Sequence, residues 1–206
     1  MRLSQQLVGA VLLAGATGFG IYRIAEAKNE TAVGGSVFRL ETRRAAETAA
    51  FYGLRSFLSQ IGEGALGDRL DGLREQGAIW VAPSLDARHW AVCVRSLGLV
   101  RRVYIRRVAL VDPVAHLAAA AVIDAPRPYL QAFAQLSLAG ALRHELAHYD
   151  GADDERTAYG IEIAWYEGLR GSAWFAGLSE GERRMWDWAI DGALRSAESA
   201  RSRAGA

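Results

Sequence analysis

The sequence predicts an α+β domain: a small sheet of three or four strands, then a central helix, then a C-terminal helical part. Three observations carry this. Apolar residues recur at helical spacing in the first and last thirds of the 206-residue chain. Between them, short β-branched and aromatic runs are bounded by Pro83 and by Ser96-Leu97-Gly98. The stretch from about Tyr129 to His148 is apolar all round, and a helix of that kind belongs inside a fold.

The elements follow in order. Leu7 to Tyr22 carries no charge, follows Arg2 and precedes Ala25-Glu26-Ala27, a small-x-small pattern. Residues 1–27 are therefore expected to be a signal peptide or a membrane anchor, with a buried apolar helix as the alternative. Residues 28–40, with Gly34 and Gly35, read as a linker. The main domain is expected over 41–195. Its first helix spans about Glu41 to Gln60, with Ala45, Ala49, Tyr52 and Leu58 as the apolar stripe and Arg43, Arg44 and Glu47 as the wet face. A second covers about Leu66 to Arg74 and ends at Gly77.

Strands are expected at Ala78–Ala82 and Trp90–Val94, with one or two more through Val103, Ile105, Val108 and Leu110-Val111. Arg95, Arg101, Arg102, Arg106 and Arg107 crowd this region, either as a cationic patch for an anionic ligand or, preferred, as a solvated face that blunts an exposed edge. Asp112-Pro113 is a helix start, and the Ala-rich helix behind it runs to about Val122. Pro128 opens the long helix that Gly151 ends. Asp153 and Asp154 are candidate caps for the next helix, to Arg170, with Ala158, Ile161, Trp165 and Leu169 as its packing stripe. Ser179-x-x-Glu182 is a capping-box pattern before the last helix, and 196–206 reads as a flexible tail.

With 24 basic and 23 acidic residues the chain has no charge excess to draw it to nucleic acid. One cysteine, Cys93, rules out an internal disulfide framework and a cysteine-based zinc site.

The chemistry concentrates in His144-Glu145-Leu146-Ala147-His148, an HExxH pattern. Residues four apart share a helix face, so both imidazoles can reach one Zn²⁺, and Glu145 can take a proton from a water on that metal. The alternative, a solvated helix with two chance histidines, sits badly with the apolar run around them and with only four His in the chain. A catalytic zinc site wants a third protein ligand. If Gly151 centres a helical hairpin, His148 and Glu155 are equidistant from the turn and face each other. Glu162 lies about 10 Å further along by helical rise, too deep to meet His148. Asp154 is the other rival. His116, alone on its Ala-rich helix, reads as a surface or satisfied histidine, and Asp150 as a residue that could orient a ligand His.

His144 to Asp154 fits HExxHxxGxx(H/D) and resembles metzincins, but Met185 lies in a helical pattern and not in a Met-turn. Asp154-Glu155-Arg156-Thr157-Ala158-Tyr159 looks instead like the second helix of gluzincin-type peptidases, at shorter spacing. The resemblance to zincin metallopeptidases covers Arg143 to Arg170. It implies a zincin-like fold, Zn²⁺ on His144, His148 and Glu155, and Glu145 as the base. It also implies Tyr159 as the nearest oxyanion donor (Tyr149 and His89 after it) and an edge strand that binds an extended peptide or protein substrate. The expected protein is a zinc metallopeptidase, membrane-anchored or exported, with its site outside the cytoplasm and the N-terminal segment as its contact with the membrane. The rivals are a zinc hydrolase of a non-peptide or cell-wall amide bond and a non-catalytic envelope protein of the same fold.

Overall fold

The computed structural model describes residues 37–205 except 84, 87, 97–99 and 121–122. The expected signal or anchor and most of the linker lie outside the described residues, as does the turn at 97–99. The chain divides into two units, the first ending at Ala46 and the second beginning at Glu47. In the first unit the described residues are the opening turns of helix α1, Val37–Gln60, which starts inside the stretch read as linker. The rest of α1 and every later element belong to the second unit.

The order is α1, α2 (Gly64–Glu75), β1 (Ile79–Ala82), β2 (Ala91–Ser96), β3 (Val100–Arg106), α3 (Arg107–Val111), α4 (Pro113–Ala120), α5 (Arg127–Asp150), α6 (Glu155–Arg170), α7 (Ala173–Ala176) and α8 (Glu180–Ala204). Over the described residues the protein is mostly helical with one three-stranded mixed sheet, an α+β arrangement. Strand order is β1-β3-β2, with β1 parallel and β2 antiparallel to β3. The register puts Ile79, Val103 and Cys93 in one row and Val81, Ile105 and Ala91 in the next, and this is the face that meets the core. Helix α5 packs on α4, α6, α8, β2 and β3, which explains why apolar residues occur on several of its faces.

Several expectations change. The buried stripe of α1 is Phe51, Leu54, Phe57 and Leu58, whereas Tyr52 is 65% exposed. Helical spacing fits both sets, and the core lies on the Phe51 side, where Phe57 stacks on Trp186 at 5.7 Å. The segment after Arg106 is helix α3 and not a further strand. Ala109 and Leu110 are adjacent and both buried, which a helix face allows and strand alternation forbids. Asp112 caps α4 by accepting from the Ala115 N–H at 3.0 Å. On α6, Ile161 is exposed, and Glu162 and Tyr166 are buried in its place. The 196–206 segment continues α8 to Ala204 with Ala197 buried, so the stretch read as a frayed tail packs as helix. The capping box at Ser179 and Glu182 is present. Among the described residues no helix is long and apolar enough to cross a membrane.

Candidate metal centre

Gly151 ends α5 with φ of 121°, a conformation that favours glycine, and the chain reverses into α6. Asp154 caps α6, accepting from the Thr157 N–H and the Thr157 hydroxyl, both at 2.8 Å. Its carboxylate is spent on the cap, so the Asp154 alternative for third ligand is not what the fold brings together. The short turn makes residues equidistant from Gly151 face each other, and Glu155 meets both histidines. Its oxygens lie 3.1 Å from His144 Nε2 and 3.4 Å from His148 Nε2. One ligand atom from each of His144, His148 and Glu155 falls within 4.8 Å of the other two.

The donor set fits a cation. His148 Nδ1 lies 2.9 Å from the Ala152 carbonyl, which only accepts, so Nδ1 carries the hydrogen. The lone pair of the neutral ring then sits on Nε2, which is buried, lacks a hydrogen-bond partner and faces a carboxylate oxygen. Lone pair against carboxylate is repulsive unless positive charge lies between them. Two imidazoles and a carboxylate are a recurrent set for a divalent transition metal.

Behind His144 stands Glu162, which is 8% exposed. One of its oxygens is 3.4 Å from His144 Nδ1, an ion-pair contact not aligned as a hydrogen bond, and the other accepts from the Tyr166 hydroxyl at 3.1 Å. Glu162 therefore does not meet His148, as expected, but reaches the other ring nitrogen of His144. Room for the pair exists because residue 140 is glycine: a Cβ there would fall 1.8 Å from Tyr166 Oη. Burial pushes the His144 imidazole down, and Glu162, Glu145 and Glu155 together outweigh it, so the net shift is upward.

Glu145 turns toward the sheet, and its carboxylate accepts from the backbone N–H of Cys93 on β2 at 2.5 Å. Burial pushes its pKa up to about 7, against the pull of His144, the Cys93 N–H and His148. Tyr159 packs its ring 4.2 Å from the His144 ring, and its phenol is raised by burial and by the Glu155, Glu162 and Glu145 charges, so it stays protonated. His89 is exposed on the wall of the same cleft, whereas Tyr149 does not line it. The cleft encloses about 1060 Å³ between β2, α5, α6 and the C-terminal half of α8.

Other expectations resolve differently. Asp150 pairs with Arg69 and orients no ligand. His116 is the satisfied histidine, at Nδ1, rather than the surface one: it has no exposed surface, Arg106 donates to that nitrogen at 3.0 Å, and the Trp90 ring covers it. The arginines of this region are exposed or half-buried, and each has a partner: Arg102 lies over the Trp80 ring at 5.5 Å, and Arg106 meets His116. Arg95 and Arg101 donate to carbonyls at the C-terminal end of α5 (His148 and Tyr149), where unsatisfied carbonyls concentrate negative charge. Arg107 pairs with Glu47 at 2.9 Å. Sequence reasoning missed the contacts of Arg95 and the Cys93 N–H, which need the sheet placed against α5, and the outer role of Glu162, which needs the packing of α6 on α5. Gly140 left a trace, as an isolated glycine inside a helical pattern. No family model matches the chain, and neither does any curated protein or solved structure.

Proposed function

We propose that this chain is a zincin-like zinc metallopeptidase that hydrolyses peptide bonds, exported or held at a membrane by its N-terminal segment. The observation that carries the reading is the meeting of His144, His148 and Glu155 with Glu145 beside them and the outer edge of the sheet, strand β2, opposite. A zinc ion on those three side chains would supply Lewis-acid polarisation of a carbonyl and lower the pKa of water at the site.

The chain's own residues do the rest. Glu145 holds the proton taken from the attacking water at a carboxylate oxygen and passes it to the leaving amine. With a pKa near 7 it is poised for both steps near neutral pH. The Cys93 N–H keeps that carboxylate pointed into the cleft. Tyr159, on the His144 side, offers a phenol O–H toward charge developing on the substrate oxygen. Among the described residues strand β2 pairs only with β3, and the Trp90 carbonyl accepts from the Arg106 N–H, so the backbone groups of the even residues face β3 and those of the odd residues, the Cys93 N–H among them, face the outer edge. An extended substrate can add along that edge.

The test is metal analysis of the purified protein followed by Glu145→Gln. The expected result is close to one equivalent of zinc in both proteins, with hydrolysis of a casein or peptide-library substrate lost in the variant. Retained activity in Glu145→Gln refutes the base, and wild type with under about half an equivalent of any divalent metal refutes the centre.

A further inference from the structure

Arg95 makes contacts that reach beyond its own sheet. It projects from β2, two residues beyond Cys93, and its guanidinium spans the gap to the end of α5. One nitrogen donates to both the His148 carbonyl (2.9 Å) and the Ala152 carbonyl (2.8 Å), and the other to Asp153 at 2.6 Å. The Ala152 carbonyl is the group that takes the His148 Nδ1 hydrogen. Two donors thus converge on one oxygen, one from the strand and one from the ring.

We infer that Arg95 is a positioning residue of the metal centre, holding His148 in the Nδ1–H tautomer and fixing the turn that delivers Glu155. This rests on the metal site under the proposed function. A histidine ligand is oriented by whatever its other nitrogen donates to, and loss of such an outer partner typically weakens metal binding 10–100-fold. Here the partner is a carbonyl in a tight turn between Gly151 and Asp154, with Asp153 tethered by the same guanidinium. Remove Arg95 and the carbonyl is free to rotate away, taking with it the tautomer and the start of α6, where Glu155 is the first residue. The consequence reaches the substrate side. The strand edge that touches Glu145 through Cys93 also touches His148 through Arg95, so base and ligand are registered to the same strand.

The experiment compares full-length wild type, Arg95→Ala, Arg95→Lys and Asp153→Ala. Zinc affinity is measured by chelator competition, and the visible bands of the cobalt-loaded proteins report ligand geometry. Long-range ¹H–¹⁵N spectra of the metal-free proteins at pH 8 report the His148 tautomer. Arg95→Ala should bind zinc 10–100-fold more weakly and show mixed tautomers. Arg95→Lys should recover only part of the loss, because an ammonium lacks the planar fork that reaches both carbonyls and the carboxylate. Asp153→Ala should stay within threefold of wild type, since that carboxylate is 84% exposed. Affinity and tautomer unchanged in both Arg95 variants overturn the role. So does an Asp153→Ala loss as large as that of Arg95→Ala, which would make the ion pair the anchor. A wild type that takes up no divalent metal but holds Nδ1–H, and loses it in Arg95→Ala, removes the proposed function and leaves the tautomer lock standing.

Discussion

Gly140→Ala tests the site through its packing. In an open helix this substitution stabilises, because alanine restricts the unfolded chain and is favoured over glycine by about 1 kcal/mol. At 140 the new Cβ would fall 1.8 Å from Tyr166 Oη, 2.4 Å from its Cζ and 3.0 Å from Glu162 Oε1. Tyr166 is 1% exposed, so it cannot swing into solvent, and α5 and α6 must separate or the Tyr166–Glu162 hydrogen bond must break. Overpacking costs about 1–3 kcal/mol, and a buried polar pair left unsatisfied costs a similar amount. Set against the helix gain, the net loss is about 3 kcal/mol. In a chain of this size that lowers Tm by roughly 6–12 °C. The control is Gly168→Ala on the exposed side of α6, where nothing lies within 4 Å of the new atom and a gain of about 0.5–1 kcal/mol is expected. Both variants and wild type are melted metal-free by circular dichroism. Gly140→Ala melting at or above wild type would refute the close approach of α6 to α5, and with it the placement of Glu162 behind His144.

Two further outcomes separate the site from its scaffold. Asp154→Ala should lose about 1 kcal/mol of stability, as removal of an N-cap does, and keep the wild-type zinc stoichiometry, while Glu155→Ala should lose the metal with little change in metal-free stability. Equilibrium dialysis and urea unfolding of both variants decide it, and metal loss in Asp154→Ala would reverse the assignment. His116 gives a pH signature. Burial, helped by the Arg106 charge, depresses its pKa from 6.5 to about 4, so the folded protein keeps it neutral while the unfolded chain protonates. Its contribution is complete above pH 6.5 and is lost as pH falls toward 4. Between pH 7 and pH 5, wild type should therefore lose on the order of 2 kcal/mol more unfolding free energy than His116→Asn, whose side-chain oxygen can still accept from Arg106. Parallel losses in the two proteins would show that His116 is not held neutral.

Local features were legible in the chain because they rest on local physics. The capping box at Ser179, the Asp154 cap, the Gly151 stop and the two candidate ligand histidines one helical turn apart depend on residues within a few positions of each other. Even the meeting of Glu155 with both histidines follows from one short turn, since a tight hairpin pairs residues equidistant from its centre. On α1 the expected stripe through Tyr52 gave way to Phe51, Leu54 and Phe57, because spacing alone does not say which apolar face a distant packing partner will cover.

The sequence by itself therefore determined the α+β class and the hairpin of α5 and α6, and it named two candidate ligand histidines with three carboxylates competing for the third place. Tertiary structure alone decided what holds that set in place: the Cys93 N–H on Glu145, Arg95 on the Ala152 carbonyl, Glu162 behind His144 and the wall made by α8. These contacts join residues tens of positions apart or depend on how deeply a side chain is buried. Periodicity says which face of an element is apolar, but not which distant strand or helix that face will meet.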